Sequence, residues 1–543
     1  MIIGDLFIFD NLSKLVATFI AFFILIILIY SFGYIKERKF SYYFWFLITG
    51  ILSIGVVFTR NVWIIISLWG FLGFTLFQLI NLSDDDKASS TAKKTFIVVG
   101  GSDGLMLLGF ILYAHLTSSL SFNLAVDKQP LIINNGLTLL SFIFIALGCF
   151  AKAGAIPLHT WIPHVAKDAP VTVVAYLPAS LDKLLGIYLL ARIVKDTFIL
   201  DNWAKAFLLV MGALTVIFAV MMALIQHNIK KLLGYHAVSQ VGYMILGIAS
   251  GTSLGLASGL FHMVNHAIYK SCLFLCAGNI EKETGSSQLE DLGGIGKFMP
   301  LTFIFTLIAS FSISGIPPFN GFVSKWTIYQ SLLDLFNTTT FITLKVIVSL
   351  SLVMALVGSG LTLASFLKLI SSVFLGKPKK IVREVGFSLY FPPFILSLLC
   401  IIFGLFAYST ILKFIEKGAG GIYFSGLWRP LLSTGLIVLG VVLGLILFFF
   451  SARITRYSPS YIGGEVLEDE VKSEDFYNTI KDLSLLKKIY NCAENKYFDI
   501  YEQGKRLIFL LGRFLSFLHN GVLPTYLVWC LIGMLGLLYL FFR

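Results

Sequence analysis

Apolar runs long enough to cross a bilayer follow one another along most of this chain. A span needs ~20 mostly apolar residues. On that rule about fourteen stretches qualify: 13–34, 41–58, 61–82, 95–114, 131–160, 170–192, 204–226, 231–250, 255–280, 299–336, 343–375, 389–413, 431–451 and 523–542. Charges collect between them on alternate sides. One side holds KERK (36–39), DDDKASSTAKK (84–94), HNIKK (227–231), EKETGSSQLEDLGGIGK (281–297), KPKK (377–380) and the long segment after Arg453. The other side is poor in lysine and arginine. The positive-inside tendency makes the first side cytoplasmic and leaves both termini outside.

Two runs are long and interrupted. GCFAKAGAIPLHTWIPHV (148–165) carries Gly154, Pro157 and Pro163; SISGIPPFNGFVSK (312–325) carries Gly315, Pro317, Pro318 and Gly321. Proline removes a backbone donor and clashes with the preceding turn, so both helices should break. Broken backbone at membrane depth is tolerated only where protein buries it or a wet cavity receives it. Two such breaks, in the fifth and tenth runs, suggest two repeats of about five helices with a transport site between them. From 452 to 522 charges mix with apolar residues at helical spacing, which predicts a helix on the membrane surface or along neighbouring helices.

Composition narrows the class. The chain is 57% hydrophobic and 13% charged, where a soluble domain is nearer a quarter charged. The predicted fold class is therefore all-α and polytopic: about 14 transmembrane helices in two inverted five-helix repeats, with two broken helices, a C-terminal amphipathic surface helix and an anchor helix. The predicted division is 1–94 for N-terminal helices, 95–250 for a first half-channel region with its broken helix at 131–165, and 251–375 for a second with its broken helix at 299–336. Peripheral helices follow at 376–451, then the lateral helix and anchor at 452–543. The net charge of +12 fits lysine-rich loops better than nucleic-acid binding. MIIGDLFIFDNLSK has no basic region or small-residue cleavage site, so no removable signal peptide is read there. The cysteines at 149, 272, 276, 400, 492 and 530 lack the spacing of a zinc, iron–sulfur or disulfide framework. No redox cofactor is expected in this chain.

Ionisable residues inside apolar runs are costly and are functional candidates by default. They are Asp103, Lys152, Asp182, Lys183, Lys230, His262, His266, Lys270 and Lys325. In FHMVNHAIYK, His262, His266 and Lys270 stand at i, i+4 and i+8, one stripe of a helix. Histidine titrates near neutral pH, and a lysine withdrawn from water holds its proton less firmly. A row of such groups joined by water is a route for protons. The competing readings are a metal site, which H-x₃-H does not support without a third ligand, and hydrogen bonds that only join helices. Lys230 could simply cap a cytoplasmic helix end, and Asp103 could cap a helix or counter a lysine. Asp182 and Lys183 are sequence neighbours that point apart, so each is expected to meet other helices.

Segments 148–192, 228–250, 261–280 and 292–325 resemble the antiporter-like subunits. These are the large proton-channel subunits of respiratory complex I, of Mrp-type cation/proton antiporters and of energy-converting hydrogenases. PASLDKLLGIYLLAR, AKKTFIVVGGSDGLMLLG and HNGVLPTYLVWCLIG look most like the large membrane subunit of Ech-type or CO-induced NiFe hydrogenases. The resemblance implies a multi-pass prokaryotic cytoplasmic-membrane protein that moves protons or sodium ions through Lys152, Lys183, Lys230, His262, His266, Lys270 and Lys325. Asp103 and Asp182 are the candidate acidic partners, and the resemblance places Fe–S clusters and a Ni–Fe centre in partner subunits. The other implied reading is a subunit of an Mrp-type antiporter with no redox partner. Two departures stand out. The family carries a Trp–Glu pair whose glutamate partners the first lysine, and here SLWGFLGF puts Gly70 in that place. YSFGYIKERKF (30–40) matches a segment usually found in the third helix, so the usual first two appear missing.

Overall fold

The computed structural model describes residues 6–83, 85–117, 130–421, 429–451, 481 and 483–542. The first part of the predicted lateral helix, 452–480, lies outside the described residues. The chain forms two compact units, 1–483 and 484–543.

The first unit is a bundle of helices: α1 (Asn11–Tyr34), α2 (Lys39–Phe58), α3 (Val62–Ile80), α4 (Asp86–Thr117), α5 (Gly136–Ala153), α6 (Trp161–Asp168), α7 (Val171–Tyr176), α8 (Asp182–Arg192), α9 (Asn202–Leu224), α10 (Ile229–Ala249), α11 (Ser253–Thr284), α12 (Pro300–Ser314), α13 (Asn320–Thr338), α14 (Ile342–Phe374), α15 (Phe387–Leu405), α16 (Ile411–Ala419) and α17 (Pro430–Ser451). The second unit holds α18 (Ser484–Glu494), α19 (Ile500–Leu518) and α20 (Leu523–Phe541). Eleven helices among the described residues are long and apolar enough to cross a membrane. Adding α11, the interrupted α12–α13 and α17 reproduces the sequence count. The run read as 389–413 is the exception: it ends at Leu405, and α16 follows as a separate short helix. The protein is a multi-pass cell-membrane protein.

Helix ends follow local chemistry. Asn135 and Thr138 form a reciprocal capping box at the start of α5. Asp201, Asn228 and Thr252 side chains accept from the first-turn N–H groups of α9, α10 and α11. Taking α5–α6, α7–α8 and α12–α13 as single crossings, 39–197 and 202–374 are two successive sets of five. In each set the fourth crossing is the interrupted one. An odd number of crossings inverts the second set relative to the first. This grouping is offset from the 95–250 and 251–375 division read from the sequence.

The lysine-rich segments meet at one end of the bundle. Lys282 Nζ donates to Gly33 O at 3.2 Å, Lys379 Nζ to Glu290 O at 2.6 Å and Lys380 Nζ to Thr284 O at 2.7 Å. At the other end Leu131–Ile132 pairs in parallel with Phe198–Ile199, and Asn11 Nδ2 donates to Lys417 O at 3.2 Å.

Candidate ion pathway

Both breaks are built alike. α5 ends at Gly154 with φ 81° and ψ 44°, and α12 ends at Gly315 with φ 81° and ψ 41°. Only glycine adopts this left-handed geometry without cost. Each helix thereby stops inside the bundle and leaves C-terminal carbonyls without helical donors. A buried lysine meets each set. Lys183 Nζ donates to Ala153 O in a short contact, and Lys325 Nζ donates to Ile313 O at 2.9 Å. An ammonium suits the negative end of a helix dipole. Lys183 reaches α5 because Gly186, one turn later, lets α8 close on it: a Cβ there would lie 2.8 Å from Ala153 N and 2.9 Å from Cys149 O.

Around the first break, Lys152 sits in the last turn of α5. Its Nζ is 3.6 Å from Asp182 Oδ1, with both side chains at most 2% exposed, and 5.6 Å from the Trp69 ring centroid. Asp103 of α4 neighbours both Trp69 and Lys152. Asp182 and Lys183 follow a π turn at Leu177–Leu181, where the Asp182 N–H bonds Leu177 O. Pro178 cannot donate the α-helical bond to Val174, which favours the wider turn.

The remaining groups lie between Lys183 and the second break. His266 has Lys183, Lys270 and His262 as charge neighbours. Lys270 lies 5.7 Å from the Phe366 ring and 5.8 Å from that of Phe274. His262 Nδ1 is 2.9 Å from Ser324 Oγ, and its Nε2 is 3.2 Å from Gln240 Oε1. Lys325 stands 4.7 Å over the Tyr243 ring. Asn265 and Asn320 donate to each other's carbonyl oxygens at 3.0 Å, tying α11 to the start of α13. Lys152 Nζ, Asp182 Oδ2, both His266 ring nitrogens and Lys270 Nζ have no hydrogen-bond partner among the described residues. Buried polar groups of this kind are ordinarily satisfied by internal water.

Of the residues singled out in the sequence, Lys152, Asp182, Lys183, His262, His266, Lys270 and Lys325 come together in one buried row, with Asp103 beside Lys152 at its edge. Lys230 does not join it. It stands in the first turn of α10 at the lysine-rich end, with Nζ 2.8 Å from Glu281 Oε1. Gly70 is exposed, and a Cβ there would meet nothing within 4 Å. The side chain beside Lys152 on α3 is Trp69. His236 was missed: Lys270 and Lys325 are its charge neighbours, and its Nε2 is 2.7 Å from Ser365 Oγ. The signal was available, since His236, Gln240 and Tyr243 recur at i, i+4 and i+7 in LLGYHAVSQVGYM. Lys368, also missed, donates to Leu224 O at 3.0 Å and Gln226 O at 3.2 Å, closing the end of α9.

A polytopic helical bundle with two interrupted helices and a buried row of titratable side chains defines a class of ion-handling membrane protein. Residues 60–376 match the family described as NADH:quinone oxidoreductase/Mrp antiporter, TM, and the chain belongs to that family. Na(+)/H(+) antiporter subunit A1 of Staphylococcus epidermidis is 30% identical over 469 residues, covering 80% of this chain and 58% of the relative. The Staphylococcus aureus subunit A1 is 29% identical over 484 residues, covering 83% and 60%. The chain thus spans less than two thirds of the length of these relatives. Among solved structures, the archaeal membrane-bound sulfane sulfur reductase complex contains a similar fold: TM-score 0.78 at 22% identity, covering 97% of this chain and 88% of that one. The Mrp complex from Dietzia sp. DQ12-45-1b gives 0.68 at 22% identity, covering 76% and 84%.

Proposed function

We propose that this chain is the proton- or sodium-translocating subunit of a multi-subunit membrane complex. The observation that carries the reading is the continuous buried row from Lys152 and Asp182 through Lys183, His266 and Lys270 to His236, His262 and Lys325. It is anchored at both ends on interrupted helices. Every member except Asp182 and the outlying Asp103 is basic, so a proton can pass by neutral and charged forms alternating along the row. Protons are taken up on the lysine-rich side, where Lys230 is buried against Glu281, toward Lys183, and leave near Lys325. Partner subunits supply the driving reaction. We assign that reaction to redox chemistry of the energy-converting hydrogenase or complex I-like type, with iron–sulfur and nickel–iron centres outside this chain. The hydrogenase-like segments and the near-complete overlap with a fold from a respiratory membrane complex support it.

A second reading, a subunit of an Mrp-type antiporter without redox partners, is favoured by the 30% identity to antiporter subunit A1. Purification in mild detergent separates the two: co-purifying redox subunits support the first, and only small membrane subunits the second. For the pathway itself, Lys152→Ala and Lys325→Ala in the assembled complex are each expected to abolish ion uptake into sealed vesicles. Unchanged pumping by both variants would sink the assignment.

A further inference from the structure

At the lysine-rich end, a cavity of about 230 Å³ opens between the α1–α2 turn and the start of α7. Tyr34, Lys36, Glu37, Arg38, Tyr42 and Pro170 line it. Tyr42 is only 1% exposed, so it lies at the cavity's inner wall and not on its rim. Tyr34 is an electrostatic neighbour of Glu281, whose carboxylate holds Lys230. Through Tyr34 the cavity wall thus neighbours the Lys230–Glu281 pair.

Hydroxyls lie just inside. Tyr42 Oη is buried against the side-chain hydroxyls of Thr172 and Ser31. One turn further along α7, Ala175 O accepts from Ser180 Oγ at 2.9 Å and from Ser271 Oγ at 3.1 Å. Ser180 precedes Asp182 and Lys183 on the π turn, and Ser271 follows Lys270 on α11. Thr172 thus stands one turn before the carbonyl that joins the hydroxyls of Ser180 and Ser271, the first on the turn that precedes Lys183 and the second next to Lys270 in sequence.

Resting on the ion-translocation reading, we propose that this cavity is the proton-uptake mouth and that the hydroxyls of Tyr42 and Thr172 are its first internal relay. The transported species here is the proton of water or hydronium. Glu37 places a carboxylate beside Lys36 and Arg38 at the cavity wall. Tyr42 and Thr172 pass protons from the cavity inward, each hydroxyl accepting one proton as it donates another.

The test uses the complete complex in sealed vesicles, with proton uptake followed by a pH-sensitive dye. Thr172→Val keeps shape and removes the hydroxyl, and together with Tyr42→Phe it should slow uptake about tenfold, the factor one buried hydrogen bond supplies. Thr172→Ser restores the hydroxyl and should restore the rate. A second measurement does not depend on those variants assembling. Lys36→Cys, on the exposed rim of the cavity, treated with a membrane-impermeant thiol reagent from the lysine-rich side, should lose uptake upon labelling, while the identically treated parent keeps it. Wild-type rates in Thr172→Val/Tyr42→Phe, or full labelling of Lys36→Cys without loss, overturn the mouth. Lys325→Ala, run in parallel, separates the failures: if it abolishes uptake while the mouth variants do nothing, the pathway stands and only the mouth is wrong.

Discussion

Single residues decide which charges meet. Lys152 pairs with Asp182, yet the pair is held at 3.6 Å without a hydrogen bond from Nζ. Removing one partner of a buried pair strands the other charge, at a cost of about 3–5 kcal/mol. Asp182→Asn is therefore expected to lower the thermal midpoint of the detergent-solubilised protein clearly. Gly70→Glu should not rescue it, because position 70 points away from the row. Recovery in the double variant would show that α3 is rotated from its position here. At the outer end, Arg192 Nη1 donates to Asp10 Oδ2 at 2.6 Å. Partial burial works to raise the Asp10 carboxyl, but the hydrogen bonds and charge of Arg192 outweigh it and hold the group at about 2, against 3.8 for a free aspartate. A lowered acid contributes stability that is present above pH 3.8 and lost as pH falls toward 2. Acid unfolding of the wild type should steepen in that window, and Asp10→Asn should flatten it; equal acid profiles would contradict the pairing. What the sequence offered at this scale was the list of intramembrane charges. Their partners were hidden, because Lys152 and Asp182 are thirty residues apart and nothing local selects one acid over another.

Helices and their interruptions set where those charges stand. Gly154 and Gly315 hold nearly identical left-handed backbones, and each ends a helix on carbonyls that a lysine then occupies. Alanine at either position costs about 1 kcal/mol or more in backbone strain. Its methyl would also press on Ile162 and Lys183 at Gly154, and on Lys325 at Gly315. Gly154→Ala and Gly315→Ala should each reduce ion uptake more than they reduce recovery of the assembled complex. Loss of assembly in proportion to uptake would make the glycines structural alone. These breaks were readable, since glycine and proline act through their own backbone. The π turn at Leu177–Leu181 was not, although Pro178 marks it afterwards. A single proline is compatible with a kink, a bulge or a helix start, and packing of α8 on α5 chose between them.

Across the whole molecule, the alternation of charged loops fixes orientation. Lys380 lies at the lysine-rich end and Lys417 at the other, against Asn11. In a background with Cys492 and Cys530 replaced, Lys380→Cys should react with an impermeant thiol reagent only in inside-out vesicles, and Lys417→Cys only in right-side-out ones. The reverse pattern would invert the pathway. The sequence by itself determined the spans, the two breaks and the basic character of the interior. Those features follow from partition between lipid and water and from the backbone valence of glycine and proline, both local properties. Only the tertiary structure decided that α5, α8, α10, α11 and α13 bring their charges into one row, that His236 joins it, and that Lys230 and Gly70 stand outside it. Those outcomes depend on helix rotation and close approach between segments far apart in the chain, at contacts such as Gly186 on Ala153, and hydrophobic periodicity is nearly silent about rotation when every face of a buried helix is apolar.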